Sequence, residues 1–171
     1  MAKMKDSYDQ FMYLNVTMSA ANTLTFSEVS LGLSLFDYAG LIISRIEYFP
    51  DDATIEELAA ANDSFRIALT SSNSITSLSQ NQPQLYDLVQ YAVNTTGTAG
   101  NLQQYETPLV HDFTGMSGGG ILVPAQNMYI AADSDSLTSA GIASMRVYFR
   151  VLQLQAADFV ELVQRLRVLS T

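Results

Sequence analysis

The chain has 171 residues, a net charge of −9 and no cysteine. The length fits one domain that buries roughly 70% of the unfolded surface, and the lack of cysteine excludes disulfides and thiolate metal sites. No lysine follows Lys5, and only Arg45 and Arg66 lie between Asp6 and Met145. Because nucleic-acid binders need clustered cations, we expect no direct binding of nucleic acid.

Apolar stretches are too short for a secretory signal or a transmembrane segment, so neither is predicted. Charged residues make up 15% of the chain, against about 25% in ordinary soluble domains. Interface cores are poor in charge. The composition therefore suits either a protein packed among neighbours or a solvated surface of neutral polar groups.

The first half of the chain predicts strands with one short helix. Residues 23–36 alternate in polarity, and the parity changes near Glu28, which predicts a long strand with a bulge or bend. Residues 39–49 predict a second strand, ended by Pro50. Thr54 and Glu57 have the spacing of a capping box, so a short helix is expected from there to about residue 62. Residues 64–72 predict a third strand, with Phe65, Ile67 and Leu69 on one face.

In the second half, residues 71–82 are polar and predict a strand edge or a surface loop. A second short helix is expected after Pro83, because apolar residues follow at helical spacing, and Asn94 stands where its C-cap would be. These apolar residues are Leu85, Leu88, Val89 and Ala92. Residues 106–115, 120–125 and 127–133 predict strands. Residues 145–151 alternate most regularly, with Met145, Val147, Phe149 and Val151 on one face and Arg146, Tyr148 and Arg150 on the other.

The C-terminal residues change to helical periodicity and predict an amphipathic helix. Its apolar stripe consists of Phe159, Leu162, Val163, Leu166 and Leu169. Many short strands with glycine-rich turns favour a mainly β, antiparallel sandwich or barrel. Residues 1–22 are expected to form an N-terminal arm and residues 23–171 a single domain.

The triplet from Gly118 to Gly120 is the strongest candidate for a phosphate-binding loop. Such loops need a following helix, and the Walker type also needs a lysine. Here Ile121, Leu122 and Val123 follow, which predict a strand. The glycines are therefore interpreted as a turn between strands.

No other motif predicts catalysis, a cofactor or a metal. His111 is the only histidine, and Asp112 beside it falls on the opposite strand face, so the two do not form part of a Ser-His-Asp site. Residues 133–136 read DSDS but lack the later ligands of a calcium loop, and we interpret them as turn residues. We expect a protein without enzymatic activity.

The order of strand-like segments "LTFSEVSLGLSLF", "LIISRIEYF", "FRIALT", "LVHDFTG", "GILVPAQNMYIAADSD" and "MRVYFRVLQL" resembles that of viral single jelly-roll capsid proteins. The final strand followed by an amphipathic helix is similar to the small major capsid proteins of tailless icosahedral viruses with an internal membrane, of the sphaerolipovirus type. The resemblance implies an eight-stranded antiparallel jelly-roll sandwich with short inserted helices and a C-terminal helix.

The resemblance also implies a function: a coat protein that self-assembles side to side into a virion shell, formed in the host cytoplasm. Copies of the chain would be its partners. The lack of a basic arm favours a second capsid protein or an internal viral membrane beneath the shell. The alternative is a non-catalytic binding module, such as an oligomeric adhesin or a receptor-binding tip. The N-terminal arm, residues 1–22, is expected to cross to a neighbouring subunit, because it holds apolar side chains that a lone terminus would not usually expose. The expected interface residues are Phe11, Tyr13, Leu14, Arg146, Tyr148 and Arg150.

Overall fold

The structure is a computed structural model that describes residues 3–4, 9–32, 38–58, 63–92 and 108–168, with side chains only within residues 9–164 of these ranges. The strands within these ranges are β1 (Lys3–Met4), β2 (Gln10–Thr17), β3 (Thr25–Val29), β4 (Ala39–Pro50), β5 (Ser64–Thr70), β6 (Leu85–Ala92), β7 (Leu109–Asp112), β8 (Ile121–Pro124), β9 (Met128–Asp135) and β10 (Ile142–Gln153). The helices are α1 (Asp52–Glu57) and α2 (Ala156–Val168).

The strands form two antiparallel sheets. In the large sheet, β10 and β4 pair along their length at the centre, β1 and β2 share the free side of β10, and β7 and β8 share the free side of β4. In the small sheet the order is β3, β9, β5, β6. This arrangement is consistent with a jelly-roll sandwich, and it confirms the prediction of a mainly β, antiparallel fold.

The main core lies between the two sheets. β10 contributes Met145, Val147, Phe149 and Val151, which are all buried, while its alternate residues face outward. From the small sheet, Phe65, Ile67 and Leu69 of β5 are fully buried. Both alternations agree with the sequence-based expectation, because a strand that is buried on one side alternates with a period of two.

A second apolar cluster covers the outer face of the small sheet. Ala68 of β5 and Ala131 of β9 point away from the main core and pack beneath Ile75 and Leu78. These last two residues belong to the polar segment after β5, and Leu78 is 1% exposed. This segment, residues 71–84, is therefore a surface loop, one of the two alternatives expected for residues 71–82, and its two apolar side chains close one face of the sandwich.

The predicted helix after Pro83 is wrong, because these residues form β6. The register with β5 shifts so that Leu69 pairs with Asp87 while Thr70 pairs with Leu85, which leaves Tyr86 as an extra residue. Such a bulge places Leu85 and Leu88 on the same outer face although they are three residues apart. A spacing of three is also what a helix gives, and this coincidence explains the error.

The predicted capping box of the first helix is also wrong. The N-cap of α1 is Asp51, whose backbone is extended and whose side chain makes no capping hydrogen bond. Thr54 lies inside the helix, where its buried hydroxyl accepts a hydrogen bond of 3.0 Å from the backbone N–H of Ile142. Glu57 instead accepts hydrogen bonds from Thr138 and Ser139. Thr54 and Glu57 therefore join α1 to the residues just before β10 and to its first residue, instead of capping their own helix.

The strand predicted over residues 23–36 is shorter in the structure, as β3 ends at Val29 and residues 30–32 form no strand. Residues 33–37, the predicted helix end at residues 59–62, the proposed C-cap Asn94 and the apolar residues Leu166 and Leu169 lie outside the described side chains. In the described part of the chain, no helix is both long and apolar enough to cross a membrane.

Candidate interaction surface

The strand register gathers aromatic and charged side chains on the outer face of the large sheet. Across β2, β10, β4 and β7, one row of paired residues consists of Tyr13, Arg146, Glu47 and Val110. The next row consists of Phe11, Tyr148, Arg45 and Asp112. Directly paired residues share one face of a sheet, so these eight side chains form a continuous patch, which we call the outer patch.

Arginines and aromatic rings pack against each other in the outer patch. The rings of Phe11 and Tyr148 are 6.0 Å apart. The Arg146 guanidinium carbon lies 5.6 Å from the ring centres of both Phe11 and Phe49, and that of Arg45 lies 5.4 Å from the ring of Tyr148. These distances fall within the range of cation–π attraction. The patch is therefore an ordered set of side chains before any partner binds.

Glu47 is the acidic centre of the outer patch. Its side chain is only 7% exposed and forms ion pairs with Arg45 and Arg146. The Tyr148 hydroxyl donates a third contact to the same carboxylate at 3.3 Å. Asp112, which pairs with Arg45 in the next row, supplies a second carboxylate, so the two arginines of the outer patch are matched by two acidic side chains.

The apolar side chains of the outer patch remain open to solvent. Phe11 is 63% exposed, Tyr13 58% and Val110 41%. Leu122 of β8, on the neighbouring part of the same face, is 43% exposed. Contiguous exposed apolar side chains of this kind typically mark contact sites between proteins.

The structure places five of the six predicted interface residues on this face. Arg150 lies beside the outer patch, where its Nε is 3.2 Å from a carboxylate oxygen of Asp9. Leu14 instead points to the other face and packs against the main core. Arg45, Glu47 and Phe49 were missed, and they belong to a strand that was predicted. They could not be predicted as part of the patch because the pairing of their strand, β4, with β10 is not visible in the sequence.

The glycine triplet forms the turn that sequence reasoning expected, between β7 and β8. Gly118 and Gly119 have φ values of 89° and 75°, which disfavour other residues. A Cβ on Gly120 would lie 2.3 Å from the carbonyl oxygen of Ile43. The glycines thus allow the loop to approach β4 closely, and no helix follows them.

A second polar cluster joins the two sheets at one edge. Asp87 of β6 accepts a hydrogen bond of 2.6 Å from the hydroxyl of Tyr48 of β4, and its same oxygen lies 2.7 Å from Nδ1 of His111 of β7. Burial, and then the nearby Asp87 charge, raise the pKa of Tyr48 well above its ordinary value. The phenol therefore stays protonated and donates to the carboxylate.

This cluster gives His111 an acidic partner that sequence reasoning did not find. Asp112 points away from His111, as expected, and its carboxylate accepts hydrogen bonds from Thr114. The rings of Tyr48 and Phe113 pack edge-on against the imidazole. His111 thus links β7 to the small sheet. No local sequence pattern indicates the contact between His111 and Asp87, because it joins two strands of different sheets, 24 residues apart.

The DSDS segment is part of a strand rather than a turn. Asp133, Ser134 and Asp135 end β9, and Asp133 lies 3.5 Å from the guanidinium of Arg66 on the neighbouring strand β5. Burial raises the pKa of Asp133, and Arg66 opposes this rise. Among the described residues, no group of three or more histidine or acidic side chains has an arrangement that would hold a metal ion.

Comparison with solved structures finds a common fold at very low sequence identity. VP1 of Merkel cell polyomavirus, solved as an unassembled pentamer, aligns with a TM-score of 0.50 and 7% identity, over 90% of this chain and 98% of that one. Tomato aspermy virus gives a TM-score of 0.44 at 11% identity, covering 92% and 84%, and Cocksfoot mottle virus gives 0.42 at 11%, covering 92% and 100%. No protein-family model and no curated protein matches the sequence.

Proposed function

We propose that this chain is the structural capsid protein of an icosahedral virus and that it has no enzymatic activity. The observation that carries the proposal is the outer patch, an ordered and exposed contact face on a two-sheet sandwich. The shared fold with polyomavirus VP1, a capsid jelly-roll protein, supports it. Copies of the chain would join side to side, and the assembled protein would be located in the virion.

The sheet orders support an eight-stranded jelly roll. If β7 and β8 are two halves of one interrupted strand, and the two-residue β1 is set aside, each sheet has four positions. Along the chain, the connections cross between the sheets at every step except between β5 and β6 and between β7 and β8. The amphipathic helix at the C-terminus, α2, would then be an addition to this common framework.

The N-terminal residues 1–22 would contribute to the contact between subunits. β2 belongs to this segment and pairs with β10 in its own subunit, so that Phe11 and Tyr13 form one side of the outer patch. The segment would thus contact a neighbour through its side chains, while residues 23–171 complete the sandwich. This differs from a free arm that crosses to another subunit.

The chain's charge bears on what lies beneath the shell. A net charge of −9 disfavours direct contact with a genome, because counterion release needs clustered cations. An internal viral membrane or a second capsid protein would then separate the shell from the genome, as in viruses of the sphaerolipovirus type. Assembly would take place in the host cytoplasm.

Electron microscopy and sedimentation of the purified chain over a range of concentration and salt test this proposal. We expect closed shells or ordered sheets. Replacing both Phe11 and Tyr13 with Asp should abolish them, because two charges would be buried in each contact. Val160→Asp is the matched control, since Val160 of α2 is 48% exposed and lies elsewhere.

Two outcomes would contradict the proposal. The first is assembly of the double variant at the same protein concentration as the natural chain. The second is a uniform small species of the natural chain at every condition, including in the presence of the other proteins of its native source. Circular dichroism of the double variant checks that loss of assembly is not loss of fold.

A further inference from the structure

A polar cleft lies at one end of the sandwich, away from the outer patch. It is bounded by the loop after β5, the start of β6, the turn between β8 and β9, and helix α2. The cleft has a volume of about 290 Å³, near the lower end of the range for ligand pockets, roughly 300–1,000 Å³. Its described lining residues are Ser71, Ser72, Asn73, Ser74, Gln84, Tyr86, Pro124, Gln126, Asn127, Tyr129 and Val163.

The lining of the cleft is polar but uncharged. Hydroxyl and amide side chains dominate it, and the described lining contains no Asp, Glu, Lys, Arg or His. A phosphate or carboxylate ligand would therefore meet no compensating cation there, and a purely apolar ligand would bury hydroxyls and amides without partners. Groups that both donate and accept hydrogen bonds match this lining best.

Two tyrosines add aromatic surface to the polar groups. Tyr129 is held in β9 between β3 and β5, and its ring packs edge-on against Phe26 at 6.5 Å. Tyr86 is the bulged residue of β6. An aromatic ring beside hydroxyls and amides presents an apolar face and a polar tip together, which suits a ligand that also has both kinds of surface.

Internal hydrogen bonds hold the wall of the cleft in shape. The backbone N–H of Ser71 donates to the carbonyl of Gln84 at 2.8 Å, and the Ser71 hydroxyl contacts the same carbonyl at 3.2 Å. The Thr70 hydroxyl donates to the carbonyl of Ser72, and the hydroxyl of Ser72 accepts from the N–H of Ser74. Little ordering of this loop would be needed on binding, which favours affinity.

The wall also has unused hydrogen-bonding capacity. Oε1 of Gln84 is shielded from solvent and has no hydrogen-bond partner, and the shielded hydroxyl of Tyr86 has a contact with Ser71 that lacks good hydrogen-bond geometry. Burial raises the pKa of Tyr86 well above its ordinary value, so the phenol remains a donor. Buried polar atoms without partners are uncommon in native structures and call for an explanation, such as a bound molecule.

We propose that this cleft binds a neutral, hydroxyl-rich ligand, specifically one uncharged sugar residue of a glycan. Ring hydroxyls of the sugar would exchange hydrogen bonds with the serine, asparagine and glutamine side chains, and its apolar face would lie against a tyrosine ring. The cleft has room for one such residue rather than for a long chain. This inference does not depend on the proposed capsid function, since a binding module would have the same site.

Saturation-transfer NMR of the full, unassembled chain tests the inference. The probes are the methyl glycosides of glucose, galactose, mannose and N-acetylglucosamine, with inorganic phosphate and sialic acid as charged comparisons. At least one neutral glycoside should bind with a millimolar Kd and neither charged probe should compete. Tyr86→Phe should weaken binding about threefold to tenfold through loss of one hydrogen bond.

Two further variants make the result specific to the cleft. Ser74→Trp places a bulky side chain at an exposed position of the lining and should abolish binding without unfolding the chain. Tyr13→Phe, on the outer patch, is the matched control and should leave binding unchanged. The inference is overturned if no neutral glycoside binds, if Tyr86→Phe and Ser74→Trp bind as the natural chain does, or if phosphate or sialic acid binds more tightly than every neutral glycoside.

Discussion

In the part of the chain that the structure describes, both sheets have apolar side chains on their outer faces, but only the outer face of the small sheet is closed by other residues of the chain. On the small sheet, Ile75 and Leu78 from the loop at residues 71–84 bury the face. On the large sheet, Phe11 and Tyr13 remain more than half exposed. The exposed face of the large sheet is therefore the one on which we propose contact between subunits.

The largest expected effect is on stability, and it is tested by replacing one leucine on the outer face of each sheet. Leu78→Ala should lower the free energy of unfolding by about 2–5 kcal/mol, since Leu78 is 1% exposed and its removal leaves a cavity. Leu122→Ala on the large sheet should cost less than about 1 kcal/mol, because Leu122 is already 43% exposed. Urea denaturation of the unassembled chain measures both. Equal losses would show that the two faces do not differ as described.

The interior between the faces should be sensitive to alkali. Burial raises the pKa of Tyr48 well above its ordinary value and that of Tyr91 to about 12. Above pH 10 the folded chain therefore holds protons that the unfolded chain loses, so stability is complete below pH 10 and falls as the pH rises toward 12 and beyond. Urea denaturation from pH 9 to pH 12 should show this decline.

Replacing Tyr48 with Phe should make that decline shallower, because one of the buried phenols is removed. A stability that stays level from pH 9 to pH 12 would contradict the expectation. So would identical slopes for the natural chain and Tyr48→Phe.

A smaller effect is expected from the acidic centre of the outer patch. Glu47→Gln should lower the free energy of unfolding by about 1–2 kcal/mol, less than for a fully buried ion pair, because Arg45 and Arg146 are partly exposed. Glu28→Gln, at an exposed position of the small sheet, is the matched control and should be nearly neutral. Chemical denaturation at low and high salt measures the free energy of unfolding of both variants. An equal loss in the two would contradict the assignment of Glu47 as the acidic centre of the patch.

The smallest expected effect lies at the end of the sandwich, between the faces. Hydrogen bonds from Ser139 and Thr138 hold the pKa of Glu57 below its ordinary value. The contact is thus complete above that ordinary value and is lost as the pH falls through the lowered pKa. Glu57→Gln should speed hydrogen exchange at the amides of Thr138 and Ser139, whereas the exposed neighbour Glu56→Gln should not. Unchanged exchange in Glu57→Gln would show that the contact does not form in solution.

The sequence predicted the strands whose residue pattern is visible locally. β10 alternates regularly between buried and outward-facing residues, β5 has apolar residues at every second position, and β4, which is largely buried on both faces, is rich in β-branched and aromatic residues. β6 was predicted as a helix because its bulge at Tyr86 breaks the period of two. Thr54 was predicted as a helix cap, but its hydroxyl accepts a hydrogen bond from Ile142, 88 residues away. A contact between residues so far apart in the chain leaves no local sequence pattern.

The same division holds for the candidate site. Arg146 and Tyr148 were predicted because β10 alternates regularly, and Phe11 and Tyr13 because apolar side chains near a chain terminus are unusual. That Glu47 completes the patch depends on which strand pairs with β10. The link between His111 and Asp87 likewise depends on two strands of different sheets meeting at one edge.

The borders of the large sheet are interrupted, and this limits how copies of the chain can aggregate. β1 and β2 divide one border, and β7 and β8, separated by the glycine turn, divide the other. A long uninterrupted border offers free backbone groups to a second chain and invites runaway aggregation. Interrupting the border limits that route. The proposed capsid subunits, at the high concentration of a shell, would then associate through side chains rather than by adding strands to a sheet.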